Sequence, residues 1–466
     1  MKRILFASAR DPFSEVETRY PPLWPACLAA MLEKHLGSEA FDFHLLRGKF
    51  EDELASFNPD VVAISSVTQN FTIAKEYARA AKARGKPVII GGPHITALPE
   101  CLSAEMDVAC IGEGEETFLE LMRLYLDTPA CAAPGTTDRG ASRPNGLEQI
   151  RGIAYHDNGK LTRTPPRPQR PSLDDLPHPK RSLLGYGRRT YMVTSRGCPY
   201  RCVFCGSSRH WGKVRYASPE YVLDEIGELV EHGVRVIRFN DDTFTANKDR
   251  LKQIAGMIAA KGFHRQVKFS CWCRANTITP EVVDALKAMN MVAVVMGLES
   301  GSDRVLRYLK GPNVTVADNS RAINLLKDAG IQTSADFIIG SPDETEEEIM
   351  ATYNFIKKSR LDFVTINVFS PLPGTPVWDT VAQKNLVSPD MDWRRLDFKF
   401  NSDEGSAIVL SEKLSYEQLR RLHRKFERLV FFKTLKALPR SPWIGELPKL
   451  VWRRLIGKAV RLARLR

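Results

Sequence analysis

Three cysteines within eight residues are the part of this sequence with the clearest capacity for chemistry. Cys198, Cys202 and Cys205 stand at a CxxxCxxC spacing in the stretch TSRGCPYRCVFCGS. Three thiolates can bind three irons of a 4Fe-4S cluster and leave the fourth iron open to another ligand. A structural zinc site needs four ligands, and His210 is the nearest candidate for the fourth. The spacing therefore favours a cluster with one open iron, with zinc as the alternative.

Cys271 and Cys273 form a second, shorter pair of thiols. They alternate around Trp272 in a β-like run, so both side chains point to the same face of a strand. A free cysteine commonly behaves as a small buried hydrophobe. We therefore expect this pair to lie in the core rather than to bind a second cluster.

The rest of the composition suggests that these thiols are kept reduced. The chain has nine cysteines among 466 residues. It shows neither a signal-peptide pattern nor a run of the roughly 20 apolar residues that cross a bilayer. We expect a cytoplasmic protein, long enough for two or three domains, whose cysteines are thiols or metal ligands rather than disulfides.

Two series of β-like runs, each alternating with helical stretches, must position this chemistry. The first series predicts a doubly wound, Rossmann-like parallel sheet, with strands at residues 4–7, 41–45, 61–65, 88–90 and 108–111. The second series predicts a partial (β/α)6 barrel, with strands at residues 190–194, 234–240, 267–272, 292–298, 332–339 and 363–369. The fold class is thus α/β. The three cysteines directly follow the first barrel strand, and such barrels do their chemistry at the carboxyl ends of the strands.

Two stretches of irregular composition separate these units. Residues 129–146 are small and polar, and residues 163–182 carry six prolines, so both should be connectors. Between them, two β-like runs around Asn158 and Gly159 predict a hairpin. The predicted divisions are a sheet domain at 1–130, a linker with a hairpin at 131–187, a barrel at 188–380 and a C-terminal region at 381–466.

The C-terminal region is strongly basic. Residues 420–466 hold fifteen Lys or Arg side chains against two acidic ones, whereas the net charge of the whole chain is +12. Apolar residues at 452, 455, 456, 459, 460 and 463 fall on one helical face, which predicts a basic amphipathic helix. Such a helix suits an anionic membrane surface; the alternative is a helix docked on the barrel with a solvated basic face. Nucleic acid is disfavoured, since no recognised nucleic-acid module is present.

The motifs after the predicted barrel strands resemble the radical S-adenosylmethionine (SAM) superfamily. The resemblance rests on CxxxCxxC with Phe204 before the third cysteine, and it covers about residues 188–379. Further matching motifs are NDDTF (240–244), GLESGS (297–302), FIIGSPDET (337–345) and PLPGTP (371–376). The resemblance implies that Cys198, Cys202 and Cys205 bind a 4Fe-4S cluster, whose open iron holds the amino and carboxylate groups of SAM.

The resemblance also implies contacts to SAM, which an electron from the cluster would cleave to methionine and a 5′-deoxyadenosyl radical. Acidic side chains would meet the ammonium and ribose, an arginine would pair with a carboxylate, and apolar side chains would pack on adenine. The residues expected there are Phe204, Asp241, Asp242, Arg274, Glu299, Ser300 and Ile338. The structural alternatives are a helix cap for Asp241 or Asp242 and a neighbouring strand end as partner of Glu299.

The predicted N-terminal sheet resembles the cobalamin-binding domain of the cobalamin-dependent branch of this superfamily. The loops after its third, fourth and fifth strands would surround the cobalamin; ordinary tight turns are the alternative for each. The residues expected there are Ser65, Ser66, Val67, Thr68, Gly91, Gly92, Pro93, His94, Gly112, Glu113, Gly114 and Glu115. His94 would touch the corrin or face solvent. The DxHxxG motif that supplies an axial histidine elsewhere is absent after the first strand, where the chain reads ARDPFSEVETRYPPLW.

The resemblance therefore implies an enzyme with three cofactors: a 4Fe-4S cluster, SAM and cobalamin. The favoured reaction is methylation of a weakly activated carbon or phosphorus centre, in which one SAM regenerates methylcobalamin and a second yields the radical. Ring closure or rearrangement by the same cofactors is the alternative. An alternative of another class is a non-catalytic zinc or iron-sulfur binding protein that recruits anionic partners through its basic tail.

The expected partners follow from this chemistry. They are a small-molecule or lipid-like substrate and an electron donor such as flavodoxin or ferredoxin. If the basic tail binds lipid, the protein would also lie peripherally at the inner membrane surface. The sequence assigns no residue a catalytic role beyond cofactor binding.

Overall fold

Both predicted sheets are present in the computed structural model, which describes residues 1–10, 21–127, 144–396, 398–400 and 407–442. The N-terminal sheet has seven strands in the order β2-β1-β3-β4-β5-β6-β7. They are β1 (Lys2–Ser8), β2 (Phe41–Leu45), β3 (Val61–Ser65), β4 (Val88–Gly91), β5 (Val108–Cys110), β6 (Ile153–Asp157) and β7 (Lys160–Arg163). Strands β1 to β5 pair in parallel, which confirms the Rossmann-like sheet.

The hairpin of β6 and β7 turns at Asn158 and Gly159, where the sequence predicts it. It does not stand alone between the domains, because β6 pairs antiparallel with β5. This pairing extends the N-terminal sheet by two strands and covers the edge that β5 would otherwise expose.

Helices cover both faces of this sheet. They are α1 (Trp24–Leu36), α2 (Phe50–Phe57), α3 (Phe71–Lys82), α4 (Pro93–Ala97) and α5 (Glu115–Asp127). The apolar side chains of the strands divide between two buried clusters: α1 and α5 contribute to one, and α2 to α4 contribute to the other. A sheet buried on both faces explains why its strands read as short continuous apolar runs.

The barrel is a six-stranded parallel sheet in the order β15-β14-β13-β12-β11-β8. Its strands are β8 (Arg189–Met192), β11 (Val236–Phe239), β12 (Lys268–Cys273), β13 (Met291–Glu299), β14 (Gln332–Ile339) and β15 (Phe363–Val368). A separate two-stranded ribbon lies after β8 and consists of β9 (Ser195–Arg196) and β10 (Arg215–Tyr216). The six strands confirm the partial barrel.

The helices after β7 lie mostly around the barrel, whereas α6 contacts α1 and β2 of the sheet domain. They are α6 (Arg181–Leu184), α7 (Ser207–Trp211), α8 (Pro219–Glu231), α9 (Lys248–Ala260), α10 (Pro280–Ala288), α11 (Asp303–Lys310), α12 (Val316–Asp328), α13 (Glu346–Lys358), α14 (Pro376–Gln383) and α15 (Tyr416–Ala437). Most begin at a Ser, Thr or Asn whose side chain accepts from a first-turn amide. Asn247 does this for α9, so the expectation that Asp241 or Asp242 might cap the next helix is wrong.

The long basic helix α15 packs against β15. Its apolar side chains Leu419, Leu422 and Phe426 are buried in the barrel core, and its N-terminus carries a capping box of Ser415 and Gln418. Within the described ranges, no helix combines the length and hydropathy that crossing a membrane would require. The amphipathic face predicted at 452–463 lies outside the described residues.

Candidate cofactor site

The three cysteines lie on a loop, residues 197–214, that leaves the ribbon at β9 and returns at β10; we call it the cluster loop. All three thiols are partly exposed. The Cys198 sulfur lies 3.4 Å from Thr243 Oγ1, at the end of β11. The Val203 amide donates to the Leu309 carbonyl at 3.0 Å. The loop is therefore held by two barrel elements and presents its thiols beyond the carboxyl ends of the strands.

The chemistry of these thiols fits an iron-sulfur cluster. Thiolates are the usual protein ligands of such clusters, and three of them can bind three different irons. His210, the candidate fourth ligand for zinc, lies edge-on against Trp211 at 4.5 Å between ring centroids. Burial raises the pKa of the Cys205 thiol to about 11 in the metal-free chain, so binding to iron would displace its proton.

Arg274 brings a positive charge to the second thiol. Its Nη1 donates to the Cys202 sulfur at 3.1 Å, and its Nη2 donates to the Lys310 carbonyl at 3.0 Å. Its guanidinium lies over the Tyr200 ring at 4.0 Å from the centroid. Its Nε is buried without a hydrogen-bond partner among the described residues. Arg274 can stabilise a thiolate, and its prediction as a partner of the SAM carboxylate stays a prediction.

Asp241 and Asp242 have different surroundings although they are adjacent in sequence. The Asp241 carboxylate is buried and accepts from the Thr194 amide and hydroxyl, each at 2.6 Å, and from the Ser195 hydroxyl at 2.8 Å. Asp242 is exposed and accepts from the Ser207 hydroxyl at the start of α7. Asp241 thus ties β11 to the base of the cluster loop, and Asp242 is the accessible carboxylate of the pair.

Glu299 ends β13 with a positive φ of 63°, a conformation that costs free energy for a residue with a side chain. Burial raises the pKa of its carboxyl, and Lys310, at 3.5 Å, opposes that shift. The neighbouring Ser300 hydroxyl is fully buried and hydrogen-bonded to the Thr352 hydroxyl at 3.1 Å. Lys310 is therefore the structural partner of Glu299, and Ser300 already has a partner within the protein.

The predicted adenine-packing residues lie in one apolar cluster. Ile338 on β14 is buried in it, and Phe204 on the cluster loop packs against it. The same cluster contains Leu5 and Ile90 from the N-terminal sheet. The barrel and the sheet domain therefore share a core beside the cluster loop.

The loops after β3 and β4 meet at very close distance. Gly92 has φ 102°, and a Cβ added there would lie 2.7 Å from the Ser66 carbonyl oxygen and 2.8 Å from Ser65 Oγ. The Ser66 hydroxyl is buried and lacks a hydrogen-bond partner in the described part of the chain. Val67 and Pro93 are exposed. The Ser66 hydroxyl is thus buried without a partner next to two exposed residues, as is expected where a bound molecule supplies the missing partner.

His94 is fully buried, so the expectation that it might face solvent is wrong. Its Nδ1 lies 3.3 Å from Thr68 Oγ1, and its ring contacts Phe71 at 4.0 Å and Trp393 at 4.5 Å between centroids. Burial and the nearby Lys75 lower the pKa of His94 to about 3. The imidazole is therefore neutral at physiological pH.

The loop after β5 is engaged by the barrel. Glu113 accepts hydrogen bonds from Arg196 and Arg215, and Glu115 accepts from Arg196. In contrast, a Cβ added at Gly112 would meet no atom within 4 Å. Neither arginine was predicted as a site residue from the sequence; the available signal was that Arg196 precedes the first cluster cysteine by two positions.

The second thiol pair lies where the sequence predicts it. Cys271 and Cys273 are buried in the barrel core, with their sulfurs 3.4 Å apart. Burial raises the pKa of Cys271 well above its ordinary value. The Cys271 thiol is therefore neutral, and both residues are core side chains.

Two family models match different parts of the chain. Residues 192–356 match the model of the radical SAM superfamily, and residues 10–122 match the model of the B12 binding domain. An uncharacterized methyltransferase of Pyrococcus horikoshii is 35% identical over 82% of this chain and 82% of its own length. An anaerobic magnesium-protoporphyrin IX monomethyl ester cyclase of Cereibacter sphaeroides is 26% identical over 93% of this chain and 70% of its own.

A solved structure shares the fold. The radical SAM methyltransferase TsrM of Kitasatospora setae superposes with a TM-score of 0.66 at 18% identity, over 82% of this chain and 78% of its own. The sheet domain, the barrel and the cluster loop are together typical of a class of two-domain enzymes. The chain belongs to the cobalamin-dependent radical SAM family, so its cofactors are a 4Fe-4S cluster, SAM and cobalamin. The non-catalytic alternative is thereby set aside.

Proposed function

We propose that the protein transfers a methyl group to a weakly activated carbon or phosphorus centre of a small molecule. The methyltransferase relative of 35% identity supports this reaction. The observation that carries the proposal is the contact between α4 of the sheet domain and α7, which directly follows the third cluster cysteine. Cofactors held on touching elements can act on one substrate between them, because positioning converts a bimolecular encounter into an intramolecular step.

We assign Cys198, Cys202 and Cys205 as the cluster ligands, with Arg274 stabilising the Cys202 thiolate. Asp242 is the better candidate of the two aspartates for the SAM ammonium, because the oxygens of Asp241 already accept three hydrogen bonds. The remaining SAM assignments stand as proposals: Phe204 and Ile338 beside adenine, and Arg274, Glu299 and Ser300 near the polar groups.

We assign the cobalamin contacts to the loops after β3, β4 and β5. Ser66 supports this assignment with its orphaned hydroxyl, and Gly112 supports it with open space beside its Cα. The neutral imidazole of His94 lies behind this surface, against Trp393. When bound, the three cofactors supply the methyl group and the radical that removes hydrogen from the substrate; the chain holds them and excludes water.

Ring closure is a second candidate, because the cyclase relative aligns over 93% of this chain. We propose domains at 1–130, 188–380 and 381–466, with a linker at 131–187 whose hairpin completes the N-terminal sheet. A lipid-like substrate, an electron donor such as flavodoxin or ferredoxin, and peripheral membrane contact stay predictions. The amphipathic face at 452–463 that motivates the membrane contact lies outside the described residues.

The test is anaerobic purification with iron, sulfide and cobalamin quantified, followed by SAM with a deuterated methyl group and a strong reductant. We expect four irons and one cobalamin per chain, and 5′-deoxyadenosine by mass spectrometry. With candidate substrates, we expect a product carrying the deuterated methyl group. Cys202→Ala should lose the cluster and the 5′-deoxyadenosine, whereas the buried Cys110→Ala should keep both.

Two outcomes would count against the proposal. A product formed with 5′-deoxyadenosine but without the deuterated methyl would favour ring closure or rearrangement. Zinc in place of iron, with intact SAM, would mean that the cluster assignment is wrong.

A further inference from the structure

Two arginines stand directly opposite each other at the base of the cluster loop. Arg196 ends β9 and Arg215 begins β10, and the two residues are paired in the antiparallel register. Like charges directly opposite each other on paired strands destabilise the pairing. The base of the loop that carries the three cluster cysteines therefore requires an anionic partner from elsewhere.

Glu113 and Glu115, in the loop after β5 of the sheet domain, supply that partner. Glu113 is shared: its Oε2 accepts from Arg196 Nη1 at 2.7 Å and from Arg215 Nη1 at 3.1 Å. Glu115 accepts from both terminal nitrogens of Arg196, with Nη1 to Oε2 at 3.3 Å. The four side chains are only 8–17% exposed, so these contacts are screened little by solvent.

The cluster loop itself holds one of these arginines in place. The Arg196 guanidinium lies 5.4 Å from the centroid of Trp211, at the end of α7. Gly197 separates Arg196 from the first cysteine and has φ 94°, and a Cβ there would lie 3.2 Å from the Trp211 Cβ. Arg196 is thus fixed between the glutamates of one domain and the loop of the other.

We propose that Arg196, Arg215, Glu113 and Glu115 form an interdomain latch that fixes the cluster loop relative to the cobalamin domain. In this inference the four are positioning residues, and Glu113 and Glu115 act through the arginines rather than by contacting cobalamin. The latch goes beyond the proposed function, because it requires the family's cofactors but no particular substrate or reaction.

The latch predicts how its members should behave when they are changed. Neutralising one glutamate leaves a largely buried guanidinium underpaired and restores the repulsion across the ribbon. The base of the cluster loop then shifts, and SAM, which binds the cluster on that loop, binds less tightly. When both partners of one ion pair are replaced, the losses of SAM affinity should not add, because either replacement alone already breaks the contact.

A double-mutant cycle on the reconstituted full chain tests this. SAM affinity is measured from the change that SAM causes in the electron paramagnetic resonance spectrum of the reduced cluster, for Glu113→Gln, Arg215→Met and the double variant. We expect each single variant to bind SAM roughly tenfold more weakly, and the double variant to be no worse than either. Iron content should stay at the wild-type value.

The exposed ion pair of Arg163 and Glu100 provides the matched control. Its cycle, Arg163→Met with Glu100→Gln, should leave SAM affinity unchanged, since exposed pairs contribute little. Full additivity at Glu113 and Arg215, or wild-type SAM affinity in both single variants, would overturn the latch. So would a loss of cobalamin affinity in Glu113→Gln that Arg215→Met does not share, because Glu113 would then contact the cofactor directly.

A conservative variant keeps the test decisive if Arg215→Met takes up no iron. Arg215→Lys retains the charge but loses the planar fork that bonds a carboxylate through two nitrogens. We expect it to take up iron and to bind SAM about threefold more weakly. Wild-type SAM affinity in Arg215→Lys would overturn the inference.

Discussion

Replacing Gly92 by alanine probes the junction between the sheet and the predicted cobalamin loops. Gly92 lies between β4 and α4 with φ 102°, where a side chain is strained. The added Cβ would lie 2.7 Å from the Ser66 carbonyl oxygen, 2.8 Å from Ser65 Oγ and 3.1 Å from the Ser66 amide nitrogen. Two of these atoms belong to the backbone that leads out of β3, so they cannot move aside as a flexible side chain could.

The magnitude follows from two terms. The backbone of Gly92, with φ 102° and ψ 176°, lies in a region that only glycine normally adopts, and it costs about 1–3 kcal/mol for a residue with a Cβ. Overpacking against fixed neighbours costs about 1–3 kcal/mol more. The sum, about 2–6 kcal/mol, is a large share of the total stability of a typical domain.

Gly91 supplies a matched control one position earlier. A Cβ at Gly91 would lie 3.8 Å from the Cys110 Cβ, an ordinary contact. We expect Gly91→Ala to change the free energy of unfolding by less than about 1 kcal/mol. Urea denaturation of the cofactor-free chain, followed by circular dichroism, measures both variants. Gly92→Ala should lower the midpoint by roughly 1 M or more, given the usual dependence on urea.

A Gly92→Ala variant within about 1 kcal/mol of wild type, or equal losses of stability in both variants, would mean that the close contacts of Gly92 do not limit stability. Cobalamin uptake adds a second readout. Uptake lost in Gly91→Ala at unchanged stability would mean that the backbone of Gly91 contacts the cofactor.

Three further changes have defined outcomes. Glu225→Gln removes the countercharge of the buried Arg181 guanidinium and should cost about 3–5 kcal/mol in urea denaturation. Burial raises the pKa of Glu344 to about 7. The stability that this shift contributes is fully present below pH 4.5 and is lost as the pH rises through 7. Glu344→Gln should therefore flatten the pH dependence of the unfolding free energy between pH 5 and 8. Ser415→Ala removes the cap of α15 and should cost about 1 kcal/mol, seen as a lower melting temperature.

The strands of both domains could be predicted because their signal is local. The run at residues 332–339 becomes β14 with the same bounds, and alternate residues are buried over its first six positions, a period of two that is visible in the sequence. The buried position of Cys271 and Cys273 was also predictable from their alternation around Trp272. The cysteine spacing likewise favoured an iron-sulfur cluster over zinc, and membership of the radical SAM superfamily confirms this prediction.

Environments set by distant segments were not predictable. His94 is buried because Trp393, from the C-terminal region, packs on it. Asp241 and Asp242 read alike in sequence, yet only Asp241 is closed off, by the hydroxyls of Thr194 and Ser195. The residues next to His94, Asp241 and Asp242 in the sequence show no pattern that predicts these environments.

The two α/β units, the order of their strands along the chain and the cluster motif are all readable from the sequence, because periodicity and short spacing reflect the local requirements of strands, helices and metal ligands. The pairing of charged side chains, in contrast, depends on the three-dimensional fold. From the sequence alone, Glu113 after β5 could pair with any of the many basic side chains. It pairs with Arg196 and Arg215 because the fold places the base of the cluster loop beside the loop after β5. Long-range ion pairs depend on topology, which no single stretch of sequence contains.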